Sequence, residues 1–171
     1  MRYPIAPLAI PLWRMIHPYH QRTPLSGEGA RLYGGRWNGK GVPALYLATD
    51  PVTAIAEYYQ GLPKPGMLAP YRLEATLIAD LTNGKGHPAD SMVAAATTAD
   101  WKHIAFLENQ LPPSWNIAQA LLADGAEGAL VPSVQNRSGT NLVLWRWHDG
   151  SKPGTGAVLT LLDPERTLTG R

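Results

Sequence analysis

An α+β domain with a mainly antiparallel sheet and flanking helices is what the sequence predicts, on three observations. Candidate strands and helices are interspersed without the regular βαβ rhythm of a parallel fold. Gly and Pro number 17 and 16, which marks a loop-rich chain. Six Trp and seven Tyr supply the aromatic mass for a core in 171 residues, a length that buries roughly 70% of the surface of the unfolded chain and fits one domain, 1–171.

The elements follow in order. Leu12 to Ile16 is a short apolar run interrupted by Arg14 and reads as a first strand. Residues 18–29 form a polar connection. Residues 30–38 carry Leu32, Tyr33 and Trp37 beside Gly34-Gly35, the pattern of a strand bent by a bulge or turn. Residues 43–48 (PALYLA) are a compact strand. Asp50-Pro51 starts a helix, because Asp caps free N–H groups and Pro suits the first helical position; the helix runs to about Gln60 and stops at Gly61. Residues 71–81 read as a strand, 83–90 as a loop, and 91–108 as a stretch of mixed character with helical content. Ser114 is expected to cap a helix through Ala123, with Ile117/Leu121 and Ala118/Leu122 at i, i+4 and Gly125 closing it. Residues 128–132, 140–147 and 157–162 read as the last strands.

Composition excludes several classes of function. With no cysteine, disulfides and thiolate metal sites are ruled out. The five histidines, His17, His20, His87, His103 and His148, are scattered, none at a His-x-x-x-His spacing, so no metal is expected. Pro4, Pro7 and Pro11 interrupt the apolar N-terminus, which does not match a signal peptide. No apolar run approaches the ~20 residues of a membrane span. A cytoplasmic protein without membrane contact is the expectation. The net charge of +2 and pI of about 9.0 come from dispersed Lys and Arg rather than the basic patch of a nucleic-acid binder. Such arginines suit an anionic small molecule.

Five places can carry chemistry. In Gly34-Gly35-Arg36-Trp37-Asn38, the glycines admit close backbone approach, Arg36 offers a planar fork for phosphate or carboxylate, and Trp37 can stack on a flat ring. A glycine bulge with an exposed Arg and a core Trp explains the same residues equally well. Glu57 follows Ala54-Ile55-Ala56 on the predicted helix with no nearby Lys or Arg partner, which suits an acid that faces positive charge developing on a substrate; a solvated helix face is the plainer reading. Ser133 ends an apolar strand at Val131-Pro132 without a Gly-x-Ser-x-Gly elbow, so it reads as a hydrogen-bonding rather than a nucleophilic serine, or as a turn residue. Asn141, opening the next strand, either holds Ser133 or caps the loop. Tyr46 sits mid-strand, and Arg14 within Trp13-Arg14-Met15-Ile16 either reaches the surface or meets an anionic partner such as Glu57 or a bound phosphate.

Together these segments resemble the RES domain family, named for its Arg, Glu and Ser. The stretch 25–38 (LSGEGARLYGGRWN) looks like the family's signature, as do its continuation 41–46 (GVPALY), the helix bearing Glu57, Val131-Pro132-Ser133, and Trp13-Arg14-Met15. The resemblance covers roughly residues 12–147. Asn141-Leu142-Val143-Leu144 fits the family's ending, but Trp145-Arg146 stands where Asn-Pro is usual.

The resemblance implies an ADP-ribosyltransferase-like fold, a split and mainly antiparallel sheet with flanking helices around an NAD⁺ cleft. It implies a toxin that causes growth arrest by cleaving the nicotinamide–ribose bond of NAD⁺, by hydrolysis or phosphorolysis. The alternative is mono-ADP-ribosylation of a cellular protein. The expected partner is an Xre-type helix-turn-helix antitoxin that blocks the cleft, with DNA contacted only through it; self-association is left open. NAD⁺ carries its leaving group already charged, so the enzyme must position the substrate and stabilise an oxocarbenium-like ribose rather than protonate the departing ring. Glu57 is assigned that stabilising role, Arg36 the pyrophosphate or ribose oxygens with Arg14 or Arg31 assisting, Tyr46 the nicotinamide side, and Ser133 the ribose or carboxamide. Trp37, Asn38 and Asn141 complete the expected NAD⁺-binding set.

Overall fold

The structure, a computed structural model, describes residues 2–170. Along the chain lie β1 (Ile5–Ile16), α1 (Glu28–Tyr33), β2 (Leu45–Ala48), α2 (Pro51–Tyr59), β3 (Met67–Asp80), α3 (Ser91–Thr98), α4 (Trp101–Phe106), α5 (Pro113–Ala123), β4 (Gly128–Pro132), β5 (Thr140–Leu144), β6 (Trp147–His148) and β7 (Ala157–Leu161). The strands form one seven-stranded sheet in the order β1-β2-β5-β4-β3-β7-β6. The additional pairing of β1 with β3 closes it into a barrel-like ring. Among the described residues only β3–β4 and β6–β7 are parallel; the other pairs are antiparallel, as expected for a mixed α+β fold.

The alternation of side chains across the strands divides the core in two. Leu45, Leu47, Leu142 and Leu144 join Leu12, Tyr71, Leu73 and Leu159 on one face. Val143, Ala129 and Val131 project to the other and pack with Val93 of α3 and with Ile117 and Leu121 of α5.

Four local expectations are corrected. The segment 30–38 is not a bent strand: it begins inside α1, turns at Gly34 (φ +77°) and folds into a tight bridge between Gly35 and Asn38. Leu32 and Tyr33, which gave it an apolar look, are exposed, and of its three large apolar side chains Trp37 alone reaches the core. The first strand begins at Ile5 rather than Leu12. Its edge opposite β3 meets β2 only at Trp13 and Ala48, and the register shifts between Ala6 and Leu8; prolines are tolerated on such an edge or at a bulge. Ser114 does not cap α5. Pro112 holds the cap position and Pro113 opens the helix, which leaves Ser114 buried in the first turn with its hydroxyl unpaired. The strand expected over 140–147 breaks after Leu144; β6 then turns away to pair with β7.

Two further secondary-structure expectations are met with sharper limits. The stretch 91–108 holds two helices, each begun by an aspartate: Asp90 accepts from the Val93 N–H and Asp100 from the His103 N–H. α2 begins as anticipated, with an Asp50 carboxylate oxygen 2.8 Å from the Thr53 nitrogen. Among the described residues no helix is long and apolar enough to cross a membrane.

Candidate active site

A cleft of about 520 Å³ opens where β1, α2, the glycine turn and α4 approach the loop after β4. Its size lies in the usual range for small-molecule sites, roughly 300–1,000 Å³. Glu57 stands in its wall. The Oε1 atom accepts from Ser133 Oγ at 2.6 Å, Asn141 Nδ2 at 2.8 Å, Val134 N at 3.1 Å and Gln135 N at 3.4 Å. The Oε2 atom accepts from no group among the described residues. One half of the carboxylate is therefore held rigidly, and the other half is available to a ligand.

Arg36 lines the same cleft. Its Nη1 donates to the carbonyls of Ala99 (2.8 Å) and Ala96 (3.3 Å) at the end of α3. Burial pulls this guanidinium below its usual pKa, while Glu57, Tyr46 and Asp100 act in the opposite direction. A partly desolvated, anchored guanidinium is a strong site for phosphate oxygens.

The turn carrying Arg36 is braced from several sides. The Tyr46 hydroxyl accepts from the Trp37 N–H at 2.9 Å and donates to Asn38 Oδ1 at 2.6 Å. Burial pushes that hydroxyl well above the ordinary tyrosine range. The Asn38 amide donates to the Ala30 and Val42 carbonyls. The indole N–H of Trp115 donates to the Gly35 carbonyl, and that of Trp145 to the Trp37 carbonyl. Gly35 has no room for a side chain, since a Cβ there would lie 2.6 Å from both Asn38 Oδ1 and the Tyr46 hydroxyl. Trp145, where the chain departs from the family's usual ending, is thus a buried brace for the arginine turn.

The sequence-derived candidates fall into three groups. Arg14, Arg36, Tyr46, Glu57 and Asn141 line the cleft together. Ser133 does not line it; it stands behind Glu57 and donates to Oε1. Trp37 and Asn38 are buried supports of the turn, and Arg31 pairs with Glu28 on exposed α1; none of the three lines the cleft. Arg14 donates to the Pro24 carbonyl, which also accepts from the Tyr71 hydroxyl, and among the described residues no ion pair joins it to Glu57.

Sequence reasoning missed Asp100, Trp101 and Lys102, which form the wall contributed by α4, and Val134 and Gln135, whose backbone N–H groups serve Glu57. The Asp100 cap was a usable signal for α4, but no pattern in the chain ties that helix to the cleft. Among the described residues no group of three or more His, Asp or Glu side chains is placed to hold a metal ion.

Comparison with known proteins adds four findings. The RES domain family model matches residues 11–156. The chain is similar to Toxin Res of Yersinia enterocolitica, with 30% identity over 139 residues, 78% of this chain and 82% of that protein. It is also similar to the NAD(+) phosphorylase MbcT of Mycobacterium tuberculosis H37Rv, with 31% identity over 143 residues, 78% and 72% of the two chains. The fold matches a chain in the crystal structure of the M. tuberculosis MbcT–MbcA toxin–antitoxin complex, with a TM-score of 0.56 and 22% identity over 96% of this chain and 91% of that one.

Proposed function

The chain belongs to the RES domain family, and from that premise we propose that it is an NAD⁺-cleaving toxin, active in the cytoplasm and neutralised by a cognate antitoxin. The observation that carries the reading is the Glu57 carboxylate. One of its oxygens is saturated by four donors and the other is unengaged among the described residues, on a cleft that also holds Arg36 and Arg14.

The chemistry follows from that arrangement. The bond between ribose C1′ and the nicotinamide nitrogen breaks, and its electron pair stays on the ring, which leaves neutral. Positive charge then develops on the ribose. Glu57 Oε2 faces that charge and accepts a bond from a ribose hydroxyl, while the bonds to Oε1 keep the carboxylate from turning away. Arg36 holds the pyrophosphate, with Arg14 at the neighbouring wall. Tyr46 packs at the nicotinamide side through its ring, its hydroxyl being committed to the arginine turn. Ser133 and Asn141 act through Glu57 in this reading. A phosphate oxygen then bonds to C1′ and gives ADP-ribose 1″-phosphate; water would give ADP-ribose and release one proton. The relatives named NAD(+) phosphorylase make phosphate the acceptor to test first.

We read the cleft as the NAD⁺ cleft of an ADP-ribosyltransferase-like fold, and residues 1–171 as one RES-type unit. The antitoxin is an Xre-type helix-turn-helix protein that covers this cleft and carries any contact with DNA. The test is incubation of the purified chain with NAD⁺, with and without inorganic phosphate. Release of nicotinamide, with ADP-ribose 1″-phosphate formed when phosphate is present, is expected. An unchanged NAD⁺ pool overturns the proposal, and a radiolabelled protein band in place of free product marks transfer to protein instead.

A further inference from the structure

The four donors on Glu57 Oε1 come mainly from a short loop, residues 133–139, which has little regular structure of its own. It is held to α2 at a second point that does not reach the cleft. Thr53 stands one helical turn before Glu57, on the same face of α2, and is fully buried. Its hydroxyl accepts from Asn136 Nδ2 at 2.8 Å and donates to Asp50 Oδ2 at 2.7 Å. The Asn136 N–H donates in turn to Ser133 Oγ at 3.0 Å. Loop and helix therefore meet at two rungs, Asn136 on Thr53 and Ser133 on Glu57.

The polarity of the whole chain is determined. Asp50 is already the acceptor for the Thr53 N–H, so its carboxylate draws the Thr53 hydroxyl proton as well. The Thr53 oxygen is left to accept, which orients the Asn136 amide. The Ser133 oxygen accepts from the Asn136 backbone, so its proton goes to Glu57 Oε1, where three N–H groups already converge. The loop is also pressed against Thr53: a Cβ on Gly139 would lie 2.6 Å from Thr53 Oγ1.

We propose that Thr53 and Asn136 are positioning residues for the reaction: their hydrogen bond docks the Ser133–Gln135 donors on Glu57 and so leaves Oε2 as the carboxylate oxygen that meets the substrate. The role rests on the NAD⁺-cleaving reading for its effect on rate, but not for its effect on structure, and the test separates the two. Thr53→Val removes the hydroxyl at nearly constant volume and keeps the Asp50 cap on the backbone. Asn136→Ala removes the other partner. Each is expected to lower kcat for NAD⁺ cleavage between about 10- and 100-fold, as a small misplacement of a reacting group does, with KM within about threefold of the parent. Because the two residues make one bond, the double variant should be no slower than the worse single. Thr53→Ser should restore most of kcat.

Amide hydrogen exchange supplies the readout independent of activity. Thr53→Val should accelerate exchange at Val134, Gln135 and Asn136 about tenfold or more relative to the core strands, and Thr53→Ser should not. A parent chain that leaves NAD⁺ intact overturns the proposed function while the exchange result still decides the docking. Unchanged loop protection in Thr53→Val, or parental kcat in both single variants, overturns the positioning role. So do multiplicative losses in the double variant, or a loss confined to KM.

Discussion

Arg36 illustrates how one side chain is committed before any ligand arrives. Its Nη1 is spent on the carbonyls of Ala96 and Ala99, so only the rest of the fork faces the cleft. Arg36→Ala should raise KM for NAD⁺ about tenfold or more, the worth of a charge-assisted hydrogen bond. Arg36→Lys should not restore it, because an ammonium cannot serve the carbonyls and a phosphate with the same fixed geometry; an unchanged KM in steady-state assays would remove Arg36 from phosphate binding. Glu57→Gln keeps the carboxylate's shape and lacks its charge. It should lose about 10²-fold or more in kcat while melting like the parent. Tyr46→Phe should act differently, through the backbone: it leaves the Trp37 N–H unpaired, at a cost of about 1–3 kcal/mol read from urea denaturation.

At the level of elements, β3 pairs with three strands, β1, β4 and β7. It pairs with β7 through Tyr71–Glu74 and with β4 through Ile78–Asp80, which leaves a gap at Thr76 and Leu77. The buried Glu127 side chain fills that gap, accepting from the Thr76 and Leu77 N–H groups at 2.8 and 3.0 Å. Its own backbone donates to the Leu77 carbonyl and accepts from Trp145 and Arg146. A side chain thus substitutes for a missing strand segment, and the same residue ties β3 to the turn between β5 and β6. Glu127→Ala orphans two backbone donors and should cost about 2–4 kcal/mol in urea denaturation. Glu127→Gln, which retains one acceptor oxygen, should cost less. Equal stability of both variants with the parent would show that the gap needs no filling. Position 127 carries no visible signal in the sequence, where it is a lone acid between Ala126 and Gly128.

For the whole molecule, titration defines the window of stability. Asp90 is held below its ordinary pKa of 3.8, first by the Val93 N–H at the start of α3 and then, against a smaller effect of burial, by Arg2 and Tyr3. A carboxyl lowered on folding contributes stability that is present above its ordinary value and is lost as pH falls through the folded value. Tyr46 and Tyr71 are raised above 10.0 by burial. Their contribution is complete below about 10 and disappears as pH rises through the higher folded values. The urea midpoint should therefore be nearly flat between about pH 5 and 9 and fall on both sides. Asp90→Asn should flatten the acid side and Tyr46→Phe the alkaline side. A midpoint that declines across the neutral range would mean that other groups govern stability.

What the sequence by itself determined is local or periodic. Asp50-Pro51 starts α2 because a carboxylate and a missing N–H suit the first helical turn wherever they occur. The Leu/Val alternation of β5 and the PALYLA run of β2 specify which face is buried, because side chains alternate along any strand. The family's motifs also brought Arg36, Tyr46 and Glu57 to notice, and these line one cleft. Tertiary structure alone decided the rest. Leu32 and Tyr33 suggested a strand, yet burial depends on what packs above a side chain, and both are left exposed. Ser133 and Glu57 lie 76 positions apart and Arg36 and Ala99 lie 63 apart; Val134 and Gln135 contribute backbone N–H groups, which carry no mark in the amino-acid code. Hydrogen bonds of that kind are specified by where a loop is docked. Docking is a property of the closed sheet and the helix against it, and no window of residues contains both.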